Sequence, residues 1–133
     1  MAATRPLPKL DRDNRAFWTG GAAGELRIMH CEACDGYIHP PRPVCRHCLS
    51  DKVSPKAVSG KGVIDTYTIN HQKWSATMEV PFVIARVALD DAPGVFLTTN
   101  IVGSDVKDVA IGDKVKVTFE QHDDVYVPLF EKA

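Results

Sequence analysis

Four cysteines are the residues of this sequence whose type and spacing could bind a metal ion. They form two C-x-x-C pairs, Cys31 with Cys34 and Cys45 with Cys48, and ten residues separate the pairs. A C-x-x-C turn folds the backbone so that two sulfurs can reach one ion, and a hairpin can bring the second pair to the opposite side. Zinc in structural sites prefers four such thiolates in a tetrahedron. We therefore predict that these cysteines bind one structural Zn²⁺.

Other chemistry is open to the same cysteines. Disulfides within each pair would be redox motifs, although two pairs on either side of a turn fit a metal ribbon better. Rubredoxin-type iron takes the same four ligands, so the sequence leaves zinc against iron open. A catalytic zinc needs an open coordination position, which four thiolates do not leave. His30 and His47 could each replace a ligand, but we expect them at the surface or against the ligands.

The elements before the cysteines are short. Residues 1–9 are predicted to form an extended arm, and Asp11 and Asp13 suit the first turn of a short helix. This helix carries Phe17 and Trp18, which we expect to pack on the rest of the protein, and ends at Gly20-Gly21. The cysteine segment that follows buries too little apolar surface to fold unaided, so metal binding would supply its folding free energy.

The cysteine segment itself is predicted to form a hairpin, with a strand before it and a connector after it. A strand over residues 25–30 leads into the first cysteine, Asp35-Gly36 is typical of a turn, and residues 50–55 are predicted to be a connector. Ser59-Gly60-Lys61-Gly62 marks the entry to the second half of the chain.

Apolar residues in the second half recur with the period of two that β-strands show. The runs predict about five short strands in about 70 residues, which is typical of a small antiparallel barrel. An OB-fold matches best, and an SH3-like barrel is the alternative. Pro128 interrupts the last run and predicts an edge strand. The runs begin near Val63, Val83, Val95, Val115 and Val125.

These elements predict a mainly β protein in three parts. Residues 1–24 would be an N-terminal arm and short helix, residues 25–52 a rubredoxin-like zinc ribbon, and residues 53–133 a five-stranded OB-fold barrel.

Composition limits the classes of partner. The 133 residues include 16 basic and 17 acidic side chains, without the basic excess typical of proteins that bind nucleic acid. No apolar run approaches the ~20 residues that span a bilayer, so no membrane partner is expected. The first residues lack the apolar segment of a secretory signal, so we expect a cytoplasmic protein with reduced thiols.

The remaining titratable residues do not predict catalysis. His71 and His122 could act as general bases, but neither has a nucleophile or a paired carboxylate at useful spacing along the chain. No cysteine is left for nucleophilic chemistry, and no glycine-rich phosphate loop occurs. We expect a protein that is not an enzyme by itself.

Taken together, the motifs of this chain resemble one family, the zinc-ribbon/OB-fold proteins associated with acyl-CoA metabolism, catalogued as a domain of unknown function. The resemblance covers about residues 11–130 and rests on Phe17-Trp18-x-Gly20, Gly24-Glu25-Leu26, the two cysteine pairs with Pro40-Pro41-Arg42, Ser59-Gly60-x-Gly62, Val80-Pro81-Phe82, Ile111-Gly112-x-x-Val115-x-Val117 and Pro128-x-Phe130. One departure is that many members have glycine after the first pair, where this chain has Asp35 before Gly36.

The resemblance implies a function as well as a fold. Members of the family are partners of thiolase-fold enzymes: thiolases, lipid-transfer-protein-like aldolases acting on steroid side chains, and acyltransferases. The chain would then be a non-catalytic accessory subunit in a hetero-oligomer, supporting the enzyme's assembly, with acyl-CoA at the shared interface. The four zinc ligands carry over to Cys31, Cys34, Cys45 and Cys48, and no catalytic residue carries over.

Two other functions stay open at this point. A single-stranded nucleic-acid binder would stack bases on aromatic side chains of the barrel, for which the candidates are Tyr67, Phe82, Phe96 and Phe119. A free-standing protein that binds or hydrolyses acyl-CoA is the other. Fold alone does not choose among them, because OB-folds serve many functions.

Overall fold

The structure is a computed structural model that describes residues 5–133. The first four residues of the predicted arm lie outside this range. A short helix, α1, spans Arg15–Thr19, and a 3-10 turn, Gly20–Ala23, follows it. The helix begins later than predicted because Asp11 forms a turn of its own: its Oδ1 accepts the N–H groups of Asp13 and Asn14, each at 2.8 Å. Aspartate side chains compete with helices in this way.

The first sheet has three antiparallel strands in the order β2-β1-β3. They are β1 (Leu26–Cys31), β2 (Tyr37–Ile38) and β3 (Val53–Val58). The predicted connector over residues 50–55 is therefore wrong in its second half, since β3 pairs with the whole length of β1. Pro55, opposite Met29, is tolerated there because β3 is an edge strand, where one side needs no N–H donor.

The second sheet is a closed five-stranded barrel, as predicted for an OB-fold. Its strands follow the order β4-β5-β6-β8-β7, and β4 pairs again with β7 to close it. They are β4 (Lys61–Asn70), β5 (Phe82–Leu89), β6 (Phe96–Val102), β7 (Lys114–His122) and β8 (Val125–Lys132).

The edge-strand prediction for the last run is wrong. β8 lies between β7 and β6, with Phe130 paired to Ile101 in a parallel ladder. Pro128 fits because it precedes the two residues that pair with β6, and its carbonyl oxygen accepts the hydroxyl of Thr99 at 3.0 Å. Closure of the barrel, which no local pattern encodes, decided this point.

Two apolar clusters fill the molecule. The larger fills the barrel and includes Phe17 of α1 and Leu26 and Ile28 of β1. The smaller surrounds the cysteines and contains Met29, Cys31, Ile38 and Cys45, with Val53 against it. Because neighbouring residues of a strand face opposite ways, β1 contributes to both clusters.

The predicted division into residues 1–24, 25–52 and 53–133 stays a prediction. The strand that follows the second boundary, β3, belongs to the sheet of the cysteine region. The chain then turns at Gly60, whose φ of 78° favours glycine, and enters the barrel at Lys61.

Candidate metal centre

The structure brings the four cysteine sulfurs to one point. All four Sγ atoms lie within 4.8 Å of one another. The shortest distances join the two pairs, at 3.6 Å between Cys31 and Cys48 and 3.7 Å between Cys34 and Cys45. Sulfurs at the corners of a tetrahedron with ~2.3 Å metal bonds would be about 3.8 Å apart. A disulfide requires about 2.0 Å, so this arrangement fits a metal ion and all four cysteines are free thiols.

The two C-x-x-C turns have the same local conformation. The N–H of Cys31 donates to the carbonyl of Gly36, and that of Cys45 to the carbonyl of Ser50, both at 2.8 Å. The residue after each second cysteine is left-handed, with φ of 62° at Asp35 and 65° at Leu49. Aspartate tolerates this conformation better than most residues, so the missing glycine leaves the first turn intact.

The pKa values of Cys45 and Cys34 are shifted in opposite directions. The Cys48 and His47 N–H groups, the latter 3.4 Å from Cys45 Sγ, lower the pKa of Cys45 to about 6 despite burial. At Cys34 the N–H of Gly36 lowers the pKa, but burial and the three other sulfurs outweigh it and raise the pKa to about 12. A cation between the sulfurs would favour the thiolate form of all four cysteines. The donor set fits a thiophilic divalent ion.

The neighbouring histidines are not part of the four-sulfur group. His30 is buried, with Nε2 2.6 Å from Asp35 Oδ1 and its ring 4.8 Å from the Tyr37 ring. His47 is exposed, and its Nε2 lies 3.3 Å from the carbonyl oxygen of Tyr37. Both histidines therefore stabilise the hairpin that carries the first cysteine pair.

The other histidines predicted as possible bases have different surroundings. His71 is exposed in the loop between β4 and β5. His122 lies on β7 with Nε2 2.7 Å from Glu120 Oε1, so the expectation that it lacks a carboxylate partner is wrong. Residues two apart on a strand share a face, and the Glu120–His122 spacing carried that signal. The same Glu120 oxygen binds Nε of Arg5 at 2.8 Å.

Two polar groups were missed by the sequence analysis. Arg5 reaches across the barrel to Glu120, 115 residues away, and to Asn100. His39 is half-buried beside Phe17, with ring centroids 4.9 Å apart, and its Nδ1 has no hydrogen-bond partner among the described residues. Neither had a local signal, because both depend on contacts between distant segments.

Most of the aromatic side chains considered for base stacking already pack against other side chains of the protein. Tyr67 and Phe119 pack against the main apolar cluster. The ring of Phe96 lies under the guanidinium of Arg86, 3.8 Å from its centroid. Within residues 5–133, no helix has both the length and the apolar character needed to cross a membrane.

A four-cysteine ribbon joined to a closed five-stranded barrel defines a zinc-ribbon/OB-fold protein. Two family profiles match in the same order: the rubredoxin-like zinc ribbon domain of ChsH2 over residues 18–54, and the C-terminal OB-fold domain of ChsH2 over residues 55–120. A DUF35 domain-containing scaffold protein of Methanothermobacter thermautotrophicus is 30% identical over 93 residues, 68% of each chain. The chain belongs to this ChsH2-like DUF35 family, which confirms the resemblance drawn from its motifs.

Two longer relatives carry hydratase names. The probable enoyl-CoA hydratase alpha subunit of Thermomonospora curvata is 35% identical over 133 residues, 98% of this chain. The 3-oxo-4,17-pregnadiene-20-carboxyl-CoA hydratase alpha subunit of Mycobacterium tuberculosis is 35% identical over 113 residues, 84% of this chain. The chain spans only 41% and 35% of the length of these two proteins.

Solved structures agree with the fold. A chain of the structure described as the Ltp2-ChsH2(DUF35) aldolase is 29% identical, with a TM-score of 0.84 over 95% of this chain and 98% of that chain. A DUF35-family protein of unknown function from Sulfolobus solfataricus is 19% identical, with a TM-score of 0.63 over 88% of this chain and 82% of that chain. The second likeness concerns the fold alone.

Proposed function

We propose that this chain is a non-catalytic accessory subunit of a thiolase-fold enzyme that acts on acyl-CoA substrates. The enzyme would be a thiolase, a steroid side-chain aldolase or an acyltransferase. The chain would support its assembly and its acyl-CoA site. The observation that carries the proposal is the likeness, over nearly the full length of both chains, to a chain of the Ltp2-ChsH2 aldolase.

The metal would hold the docking piece together rather than take part in chemistry. Cys31, Cys34, Cys45 and Cys48 would bind one Zn²⁺, and four thiolates leave no position for water or substrate. The sulfur separations and the match to a rubredoxin-like zinc ribbon support this assignment. We propose a cytoplasmic location, because binding of the ion needs reduced cysteines. Elemental analysis should find one zinc per chain, and iron or no metal would contradict the assignment.

The remaining polar groups support an accessory role. The His122–Glu120 pair, which resembles a base with its orienting carboxylate, is bound by the Arg5 guanidinium at 2.8 Å. A carboxylate held by a cation is a weaker base, and partial burial, which raises its pKa, is outweighed by the hydrogen bond from His122 and the charge of Arg5, which lower the pKa of Glu120.

Co-expression with a thiolase-like enzyme from the same organism tests the proposal. We expect the two chains to elute together in size-exclusion chromatography and the enzyme's turnover of its acyl-CoA substrate to fall when the small chain is omitted. An unrelated thiolase, expressed with the same chain, is the control and should elute separately. A stable monomer that leaves the cognate enzyme's activity unchanged would contradict the proposal, as would thioester turnover by the chain alone.

A further inference from the structure

Two cavities lie side by side against β6 on the outside of the barrel. One, of about 310 Å³, lies between α1 and the barrel and is lined by Trp18, Ile84 and Leu97 among others. The other, of about 740 Å³, lies under the loop between β4 and β5 and is lined by Met78 and Phe82 among others. Arg5 and Asn100 line both cavities.

The Arg5 side chain lies where these cavities meet. Its Nε binds Glu120 Oε1 at 2.8 Å and its Nη1 binds Asn100 Oδ1 at 3.3 Å. Both acceptors are themselves held: Asn100 Nδ2 donates to the carbonyl of Val83 at 2.8 Å, and Glu120 lies 2.7 Å from His122. The guanidinium therefore binds polar side chains that three barrel strands, β5, β6 and β7, hold in place.

Residues 6–8 offer few hydrogen-bond donors by comparison. Pro6 and Pro8 have no N–H to donate, and Pro6 and Leu7 are exposed. Among residues 5–8, the hydrogen bonds to the barrel that the structure describes come from the Arg5 side chain. Within residues 5–8, Arg5 thus supplies the hydrogen-bonding anchor on the barrel.

We propose that residues 5–8 are a strap, latched by Arg5, that divides one binding groove into two cavities. When Arg5 is released, the cavities join into a site for an elongated, neutral, apolar molecule. Apolar side chains such as Trp18 and Ile84 line the smaller cavity, and Met78 and Phe82 line the larger, where Ser75 and Glu79 add polar groups. Arg5 and Asn100 lie where the two cavities meet. Sites of this composition bind apolar ligands and use few polar groups to orient them. The proposal does not depend on the partner enzyme proposed above.

Two substitutions in the full chain should release the latch, one at the donor Arg5 and one at its acceptor Glu120. Arg5→Ala removes the guanidinium, and Glu120→Gln removes the charge that holds it. Arg12→Ala is the matched control, because Arg12 is 87% exposed and its ion pair, with Asp13, is long at 3.7 Å. Far-UV circular dichroism confirms that each variant is folded before it is tested.

The first measurement is binding of Nile red, a neutral apolar dye. We expect Arg5→Ala and Glu120→Gln to bind it at least about five-fold more tightly than the unmodified chain and Arg12→Ala. Adding Met78→Lys to Arg5→Ala should abolish the gain, since it places a charge in the larger cavity. A folded latch variant that binds the dye like the unmodified chain would overturn the proposal, and so would a gain that survives Met78→Lys.

The second measurement is the rate of trypsin cleavage after Lys9. The Arg5–Pro6 bond resists trypsin because proline follows, so Lys9 reports on release of the arm. Cleavage should be several-fold faster in both latch variants. The charge-exchanged chain, Arg5→Glu with Glu120→Arg, should return to the unmodified rate. An unchanged rate in the latch variants shows that Arg5 does not hold the strap, and faster cleavage without increased dye binding shows that the strap covers no site. Either result overturns the proposal.

Discussion

Asp35 and Leu49 occupy equivalent positions, each in a left-handed conformation directly after the second cysteine of its pair. The chain must reverse at these points so that its next carbonyl accepts the N–H of the first cysteine. The Asp35 side chain also reaches His30, at 2.6 Å, which glycine could not do. Single residues here thus hold the sulfurs in position, and the metal-binding geometry is a property of two short turns.

His39 should make the stability of the fold depend on pH. Burial lowers the pKa of His39 from 6.5 to about 4. As the pH falls below 6.5, His39 becomes protonated in the unfolded chain but stays neutral in the folded chain until about pH 4. The folded state therefore loses stability over this interval. The loss between pH 7.5 and pH 5 should be about 2 kcal/mol.

Urea unfolding of His39→Phe at these two pH values measures the effect. Phenylalanine keeps an aromatic ring against Phe17 and cannot be protonated, so its stability should fall by about 2 kcal/mol less than that of the unmodified chain. Acid-induced loss of metal affects both chains equally and cancels in the difference. Equal losses in the two chains would show that His39 is not buried in its neutral form.

At the scale of elements, β1 is the strand that links the metal region to the barrel. Leu26 and Ile28 are fully covered by the main cluster, while Met29 and Cys31 belong to the cysteine cluster. The cysteine cluster contains few large apolar side chains, so it has little burial energy of its own. Metal binding would compensate for this with roughly 10 kcal/mol or more of folding free energy.

Removal of the metal should therefore unfold the cysteine region and leave the barrel folded. With a chelator under reducing conditions, we expect amide hydrogen exchange to become fast over about residues 29–53 while β4 to β8 keep their protection. Cys31→Ser combined with Cys34→Ser should give the same pattern without chelator. A metal-free chain with slow exchange in the cysteine region would contradict the assignment.

For the whole molecule, Phe17 lies where the helix, the first sheet and the barrel meet. It is only 7% exposed, it belongs to the cluster that includes Leu26 and Phe130, and its ring lies edge-on to Trp18 with centroids 4.9 Å apart. Apolar contact here joins segments that the sequence separates. The main core is consequently shared by all three predicted parts of the chain.

Phe17→Ala should destabilise the metal-loaded protein by about 3–5 kcal/mol, because it leaves a cavity at this junction. The control is Phe96→Ala, the same change on the outer surface beneath Arg86, which should cost about 1 kcal/mol. Urea unfolding followed by circular dichroism compares the two. Similar losses would mean that the helix is an appendage and does not complete the core.

Much of the architecture could be predicted because it is encoded locally. Each C-x-x-C pair is a turn of a few residues, and alternation in runs such as the one from Val115 indicates a strand without reference to its neighbours. The errors occurred where local signals compete with pairing. Pro55 and Pro128 suggested a connector and an edge, but backbone pairing placed both in strands.

The sequence by itself thus determined the four-cysteine motif, the two kinds of sheet and the family, since each rests on residue types at short, regular spacing. Only the tertiary structure decided how β8 closes the barrel, that β1 serves two clusters, and that Arg5 meets Glu120. These features join residues far apart in the chain. Their free energy comes from burial and pairing in the assembled fold, which no short segment can express.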